Sequence, residues 1–171
     1  LQAIAFVPGL GVSQATGAMV GNALGAADPQ QARRVARSAM LLCTVIMSAI
    51  AIFMLIFAVD MVAIFEIAPG SDLSNLAVLW IRILGVGMPI IGIHIALMGV
   101  LRGAGATKQS LISNIIGTVI QIPASFVLGY TLGYGPLGIW AGFPLSFAVK
   151  AGISALFYRD EGWQRTGVAI D

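Results

Sequence analysis

The chain has 171 residues, of which 58% are hydrophobic and only 9% are charged, and its formal net charge is +2. A soluble domain carries roughly 25% charged residues, so this chain lacks the polar groups needed to cover a globular surface in water. The composition therefore excludes a soluble protein and predicts one immersed in lipid. Its few basic residues lie in short connections, which is typical of membrane orientation and not of nucleic-acid binding.

Hydropathy predicts five membrane-spanning helices. Each is a continuous apolar run long enough to cross a hydrocarbon core of ~30 Å, and none shows the two-residue alternation of a β-barrel strand. Because lipid offers the backbone no hydrogen bonds, each run is expected to be helical. The runs cover residues 1–24, 38–59, 75–101, 110–132 and 136–158.

The first span is rich in small residues, and Gly17, Gly21 and Gly25 recur at every fourth position. Such a stripe lets two helix backbones approach closely in lipid, so we predict a tight helix–helix contact here. After the stripe, Asp28–Pro29 predicts a helix start, with Asp28 as the N-cap. The same spacing of small residues recurs at Gly99/Gly103, Gly129/Gly133 and Gly138/Gly142.

The connections between the spans differ in charge. Those at 25–37 and 102–109, and the tail at 159–171, carry Lys or Arg, whereas those at 60–74 and 133–136 carry neither. The positive-inside rule therefore predicts that the basic connections and the C-terminal tail are cytoplasmic.

The acidic connection mixes apolar residues with Asp and Glu, which predicts a short helix lying in the membrane interface. Pro69–Gly70 is expected to end this helix. Ser74 or Asn75 is then the expected N-cap of the third span.

The third span carries helix-disturbing residues near its middle. Pro89 removes a backbone hydrogen bond and follows Gly87, so we predict a kink at this depth. The span ends at Arg102, and a glycine-rich turn containing Gly103 and Gly105 follows. We predict that this segment acts as a hinge or an anchor.

Polar side chains at membrane depth are costly, and they are candidates for function. Gln14, His94, Asn114 and Gln121 are our candidates for the lining of a substrate cavity. Asn114, Thr118 and Gln121 have the spacing of a single helical face. The alternative is hydrogen bonding between helices, worth only about 0.6 kcal/mol each. For His94 the alternatives are a proton-responsive group and a neutral ring bonded to a backbone carbonyl.

Lys150 lies deep in the fifth span, where its charge either snorkels to the interface or faces an aqueous cavity. No Asp or Glu falls inside any of the five spans, although an ion-coupled transporter usually needs a carboxylate at depth. Since the sequence begins at Leu1 within an apolar run, we expect further helices, and that carboxylate, to precede it.

No nucleophile, metal-ligand or phosphate-loop motif occurs, so we predict no catalytic residue, metal or cofactor.

Four stretches together resemble the C-terminal lobe of the multidrug and toxic compound extrusion (MATE) transporters. They follow one another with the family's spacing over nearly the whole chain. The sequence departs from the family pattern at Ile91, where NorM-like members carry an acidic residue, and at Ala106, where the turn often has Asp. The stretches are GAMVGNALGAADPQQARR, FEIAPGSDLSNLAVLWIRILGVGMP, LRGAGATKQSLISNIIGTVIQIPASFVL, and GYGPLGIWAGFPLS with the tail EGWQR.

The resemblance implies an all-α integral membrane fold, with five transmembrane helices from a twelve-helix, two-lobe antiporter whose N-terminal lobe precedes them. It implies export of cationic or amphipathic small molecules across the cytoplasmic (inner) membrane in exchange for Na⁺ or H⁺. The departure at Ile91 favours ion coupling through the N-terminal lobe. Two alternatives remain open: a lipid-linked oligosaccharide or polysaccharide flippase of the same superfamily, and a non-transporting membrane scaffold.

Overall fold

The computed structural model describes residues 2–68, 70–160 and 162–164, and this part of the chain is helical with no strand in it. The predicted all-α fold is confirmed. A π-helical turn, Val127–Thr131, extends the fifth helix, and a 3₁₀ turn, Gly162–Gln164, follows the sixth. The α-helices of the described ranges are α1 Gln2–Gly25, α2 Pro29–Ile56, α3 Ala58–Ala63, α4 Asp72–Gly103, α5 Thr107–Phe126 and α6 Gly135–Arg159.

Within the described residues, four helical segments are long and apolar enough to cross a membrane. They contain or overlap the last four predicted spans. The predicted first span corresponds to α1, which is helical but is not among the four, so its crossing of the membrane stays a prediction. The four segments are Pro29–Ile56, Asp72–Gly103, Thr107–Thr131 and Gly135–Arg159.

The helix start predicted at Asp28–Pro29 is confirmed. The Asp28 side chain accepts a hydrogen bond of 2.8 Å from the backbone N–H of Gln31, and Pro29 occupies the first turn. Most of the predicted connection 25–37 is consequently helix, because the cap starts α2 well before its apolar run begins. The arginines of this stretch therefore belong to the first turns of α2.

The short helix α3 begins at Ala58, before the acidic connection, and buries Ala58 and Val62 while exposing Asp60. It ends at Ala63, so the end expected at Pro69–Gly70 is wrong. The expected N-cap at Ser74 or Asn75 is wrong, because α4 begins earlier, at Asp72. The cap is Ser71, whose Oγ accepts a 3.2 Å hydrogen bond from the backbone N–H of Ser74.

One helix, α4, lies at the centre and contacts all five of the others. Glycines allow its neighbours to come close. A Cβ added at Gly92 would lie 2.9 Å from Met47 Cγ and 3.1 Å from the carbonyl oxygen of Cys43, both on α2. A Cβ at Gly87 would lie 2.8 Å from the Pro144 Cβ of α6. Close approach of this kind is how helices gain packing energy in lipid.

The predicted small-residue stripe brings α1 against α4. A Cβ added at Gly103 would overlap the backbone of Gly17 and would lie 2.7 Å from its Cα. A Cβ at Gly21 would lie 3.1 Å from the Gly103 oxygen. Gly25, the third member of the predicted stripe, has nothing within 4 Å, because it is the last residue of α1 and lies beyond the crossing.

The crossing continues one turn along, where a Cβ at Gly99 would lie 2.9 Å from Ser13 Oγ. A second close contact lies beside the turn of the α5–α6 hairpin, where a Cβ at Gly138 would overlap the carbonyl of Leu128. Gly133, which was paired with Gly129 by spacing, lies in the turn with φ of +73° and has nothing within 4 Å. Its role is therefore the turn and not helix packing.

We expect Gly103→Ala to destabilise the bundle by roughly 1–3 kcal/mol, because the new methyl group meets backbone atoms that cannot rotate away. The thermal denaturation of the purified full-length protein in detergent measures this. The matched control is Gly152→Ala on α6, where a Cβ meets nothing within 4 Å. Equal melting temperatures for the two variants would contradict the close approach of α1 and α4.

Candidate functional site

The central helix places His94 inside the bundle, where the side chain is only 4% exposed. Its Nδ1 lies 3.4 Å from the hydroxyl of Ser154 on α6, and its ring meets the Phe147 ring edge-on with centroids 5.6 Å apart. The side chain of Asn114 and the backbone of Lys150 also interact with this ring. Two of the four predicted cavity residues, His94 and Asn114, therefore come together, on α4 and α5.

Asn114 also makes local contacts that orient its amide. Its Nδ2 donates to the backbone oxygen of Ser110 at 3.1 Å and approaches the Met98 sulfur at 3.7 Å. The Ser110 hydroxyl lies 3.5 Å from the same sulfur. Asn114 thus links the start of α5 to α4, beside His94.

Lys150 is 8% exposed and lies between α5 and α6. Its aliphatic stem crosses Gly117, where a Cβ would lie 2.7 Å from Lys150 Cε. Its ammonium nitrogen lies 4.8 Å from the centroid of the Phe147 ring, an attractive cation–π geometry. In the described helices the acidic residues are Asp60 of α3 and Asp72 at the first position of α4, so the aromatic face is the electrostatic partner that the structure places beside this cation.

Gln121 faces α6, where its Oε1 accepts a 3.2 Å hydrogen bond from the Ser146 hydroxyl. The face predicted for three α5 residues holds for two of them, since Asn114 and Gln121 are half-buried but Thr118 is exposed. The reason is that the packed side of α5 is centred on the buried Gly117, which leaves Thr118 turned outward.

Gln14 lies elsewhere. It is exposed on α1 and lines a groove of about 310 Å³ between α1 and α4, so the structure does not bring it to His94. Its part in a substrate cavity stays a prediction. The groove is lined by Ser13, Gln14, Gly17, Gly99, Arg102 and Gly103, among others.

The predicted hinge residues occupy two different environments. Gly87 is buried against α6, and α4 continues as a helix through Pro89. Arg102 is exposed in the last turn of α4, where Gly103 packs on α1. Gly105 has a φ of +73° in the turn between α4 and α5, a conformation that favours glycine. The hinge itself stays a prediction.

A polar stripe on α6 was missed by the sequence analysis except for Lys150. Ser146, Lys150 and Ser154 recur at every fourth position, and all three are buried. This spacing places them on one helical face, turned toward α4 and α5. The buried serines would have been found by asking which polar residues of α6 share the lysine's face.

An aromatic row was missed as well. Trp140, Phe143 and Phe147 lie on one side of α6, and Trp80 of α4 meets both Trp140 and Phe143 edge-on with centroids 5.7 Å apart. Phe143 and Phe147 follow with centroids 5.0 Å apart, and the row ends at His94. We call Trp80, Trp140, Phe143 and Phe147 the aromatic row. All four are half-buried, so each residue keeps part of its surface accessible.

This arrangement is better suited to binding a ligand than to making or breaking covalent bonds. Half-buried aromatic rings offer apolar area and negative ring faces, and the few polar groups at their end can orient a ligand. Among the described residues, no three His, Cys, Asp or Glu side chains come together as a metal site.

Comparison with known proteins matches this chain to one protein family. The family model described as MatE matches residues 1–127. The chain is 33% identical to the "Probable multidrug resistance protein NorM" of Rhodopseudomonas palustris, covering 88% of this chain and 32% of the relative. It is 30% identical to the human "Multidrug and toxin extrusion protein 1", covering 96% of this chain and 29% of the relative.

A solved structure described as a transporter of the same family is also similar to this chain. It is described as the inward-facing conformation of a multidrug resistance MATE family transporter, and it superposes with a TM-score of 0.81 at 27% identity. The match covers 90% of this chain and 34% of that one. The chain spans about a third of the length of the curated relatives it matches.

We expect Lys150→Met to keep the melting temperature of the full-length protein close to that of wild type, because methionine preserves the stem that packs on Gly117. Lys150→Ala removes the stem and should cost roughly 2–4 kcal/mol. Thermal denaturation in detergent measures both, with Lys108→Ala as the exposed control. A Met variant as unstable as the Ala variant would show that the ammonium group, and not the stem, holds α5 and α6 together.

Proposed function

Because this chain belongs to the MatE family of membrane transporters, we propose that it forms part of a multidrug exporter for cationic or amphipathic small molecules. The aromatic row is the observation that carries this proposal. It runs along the α4–α6 contact from Trp80 to His94, and its four residues are half-buried. It therefore provides a continuous apolar surface that ends at the polar groups around His94.

The chemistry of the row fits ligands that share a flat, positively charged character. Aromatic faces attract cations and stack on planar rings without demanding one fixed arrangement of hydrogen bonds. Few polar groups, at one end only, give weak discrimination among such ligands. Low selectivity is what an exporter of many compounds needs.

The mechanism we propose is alternating access, in which two lobes rock about a central cavity. The close approach of α1, α2 and α6 to the central helix supports motion of these helices as one body. Pro89 and Gly87 would let α4 bend within that body. The relatives are about three times as long as this chain, and the second lobe belongs to that remainder in this proposal.

Exchange for Na⁺ or H⁺ is part of the proposal. The position where NorM-like members carry an acid is here Ile91, whose side chain is fully buried in the apolar core. Within the four described segments that are long enough to cross a membrane, the one carboxylate is that of Asp72, at the first position of α4. We therefore assign the coupling carboxylate to another part of the transporter. We also propose that the end of the bundle with the excess of Lys and Arg, and with it the C-terminus, is cytoplasmic, which is the orientation that the positive-inside rule favours.

A flippase for lipid-linked oligosaccharides is the rival within the same superfamily. A diphosphate ligand would need several cations lining the cavity, and among the described residues Lys150 is the cation buried beside the row. The drug exporter is therefore the function that these residues favour.

Replacing Phe143 with Leu should reduce export of the cationic dye ethidium by the full-length protein about five- to tenfold, because one ring of the row is lost and a cation–π contact of about 1 kcal/mol goes with it. Dye efflux from cells lacking other exporters measures this. Phe126→Leu is the control, since Phe126 is 60% exposed and lies outside the row. Equal efflux by wild type and Phe143→Leu would contradict the role of the row.

Ethidium movement in everted membrane vesicles should depend on a single imposed ion gradient, either Na⁺ or H⁺, and should stop when that gradient is collapsed. Vesicles without the protein provide the baseline. Transport that needs neither gradient would exclude the antiport mechanism, even if the dye is still moved.

A further inference from the structure

A polar pocket of about 260 Å³ lies at the end of the bundle where α2 begins and α6 ends. It is separate from the aromatic row, and no step of the proposed transport uses it. We call it the arginine pocket. It is lined by Arg33, Arg37, Tyr158, Arg159 and Gln164.

The start of α2, the end of α6 and the 3₁₀ turn build the pocket. Arg33 and Arg37 are four residues apart, so they project from the same face of α2. The Arg33 guanidinium donates a 3.4 Å hydrogen bond to Gln164 Oε1, which ties the 3₁₀ turn to α2. Arg159 is the last residue of α6 and faces the other two from across the pocket.

The wall formed by the 3₁₀ turn is anchored firmly. Trp163 is 1% exposed, and it belongs to a cluster of buried Ala, Val and Leu residues from the end of α1, the start of α2 and the end of α4. Its indole N–H donates a 2.8 Å hydrogen bond to the backbone oxygen of Tyr158, and the two rings stack with centroids 5.4 Å apart. The pocket is therefore a built feature of the fold, with Gln164 held in place by its neighbour.

The depth of the pocket follows from the hydropathy boundaries. Arg37 directly precedes the apolar run 38–59, and Arg159 directly follows the apolar run 136–158. Both guanidinium groups therefore lie where the hydrocarbon ends and the headgroups begin. Phospholipid phosphates occupy this level of the bilayer.

The charge of the pocket is strongly positive. Three arginines line it, and among the residues that the structure describes no acidic side chain does. Asp160 follows Arg159 at the C-cap of α6, and the Asp28 carboxylate accepts from the backbone of Gln31 as the cap of α2. Guanidinium forks match phosphate oxygens with paired hydrogen bonds, which an ammonium group cannot do.

We propose that the arginine pocket binds a phosphate group, through Arg37 and Arg159. The phosphate is carried by an anionic phospholipid such as phosphatidylglycerol, or it is free phosphate in the adjoining water. Basic pockets between membrane helices at the headgroup level bind acidic lipids by the same chemistry.

The test is a binding measurement on the purified full-length protein in a neutral detergent. Native mass spectrometry counts bound phosphatidylglycerol against phosphatidylcholine, and thermal denaturation is followed with each lipid and with inorganic phosphate. The variant is Arg37→Gln with Arg159→Gln. We expect it to bind phosphatidylglycerol about 25-fold more weakly, at about fivefold for each arginine.

The control removes the same charge from the same end of the bundle. Arg34→Gln with Lys108→Gln changes two exposed cations that do not line the arginine pocket. We expect this pair to keep the wild-type affinity to within a few-fold. Equal losses in the two double variants would reduce the effect to general surface charge and overturn the proposal.

Thermal denaturation with phosphatidylglycerol and with inorganic phosphate shows which molecule carries the phosphate. Stabilisation by phosphatidylglycerol that needs Arg37 and Arg159 assigns the site to a lipid, and stabilisation by inorganic phosphate with the same dependence assigns it to the free anion. Stabilisation by neither overturns the site. Should the glutamine pair fail to fold, Arg37→Lys with Arg159→Lys keeps the charge, and the loss of the guanidinium forks should then weaken binding. Unchanged affinity of the lysine pair would overturn the paired hydrogen bonding.

Discussion

The structure depends on how closely other helices can approach α4. In lipid the hydrophobic effect does not drive helices together, so the bundle relies on van der Waals contact between backbones. Gly92 and Gly87 admit α2 and α6, and Gly99 and Gly103 admit α1. A side chain at any of these positions would meet neighbouring atoms at or below 3 Å, and the worst overlaps are with backbone. The positions of all other groups follow from this packing.

The polar and aromatic groups lie where that packing puts them. Because α6 lies tightly against α4, Ser154 and Phe147 reach His94, and Lys150 is enclosed against α5. The aromatic row runs along the same contact. At one end of the bundle the 3₁₀ turn Gly162–Gln164 packs through Trp163 and completes the arginine pocket. One face of α6 therefore serves the central site, and its last turn serves the membrane boundary.

Much of the candidate site was beyond the reach of local sequence patterns. The α5 spacing predicted one polar face, yet Thr118 is exposed, because the contact with α6 is centred on Gly117 and not on the amides. Gln14 was grouped with His94 by polarity and depth alone. It lies in a different groove, because the direction in which α1 presents it depends on where α1 crosses α4. The sequence pattern did not identify the serines beside Lys150, because the role of a hydroxyl in a membrane helix depends on which side chains it contacts.

The sequence by itself determined the all-helical membrane class, the order of the helices, the start of α2 and a close helix contact at the glycines of α1, whereas the structure identified α4 as the partner in that contact. These follow from local properties: apolar run length, the Asp28–Pro29 cap, and glycines four residues apart. The tertiary structure alone decided which polar and aromatic side chains meet. Such meetings depend on the rotation of each helix about its own axis. That rotation is set by contacts between residues distant in the chain, as when His94 meets Ser154, which a one-dimensional pattern does not contain.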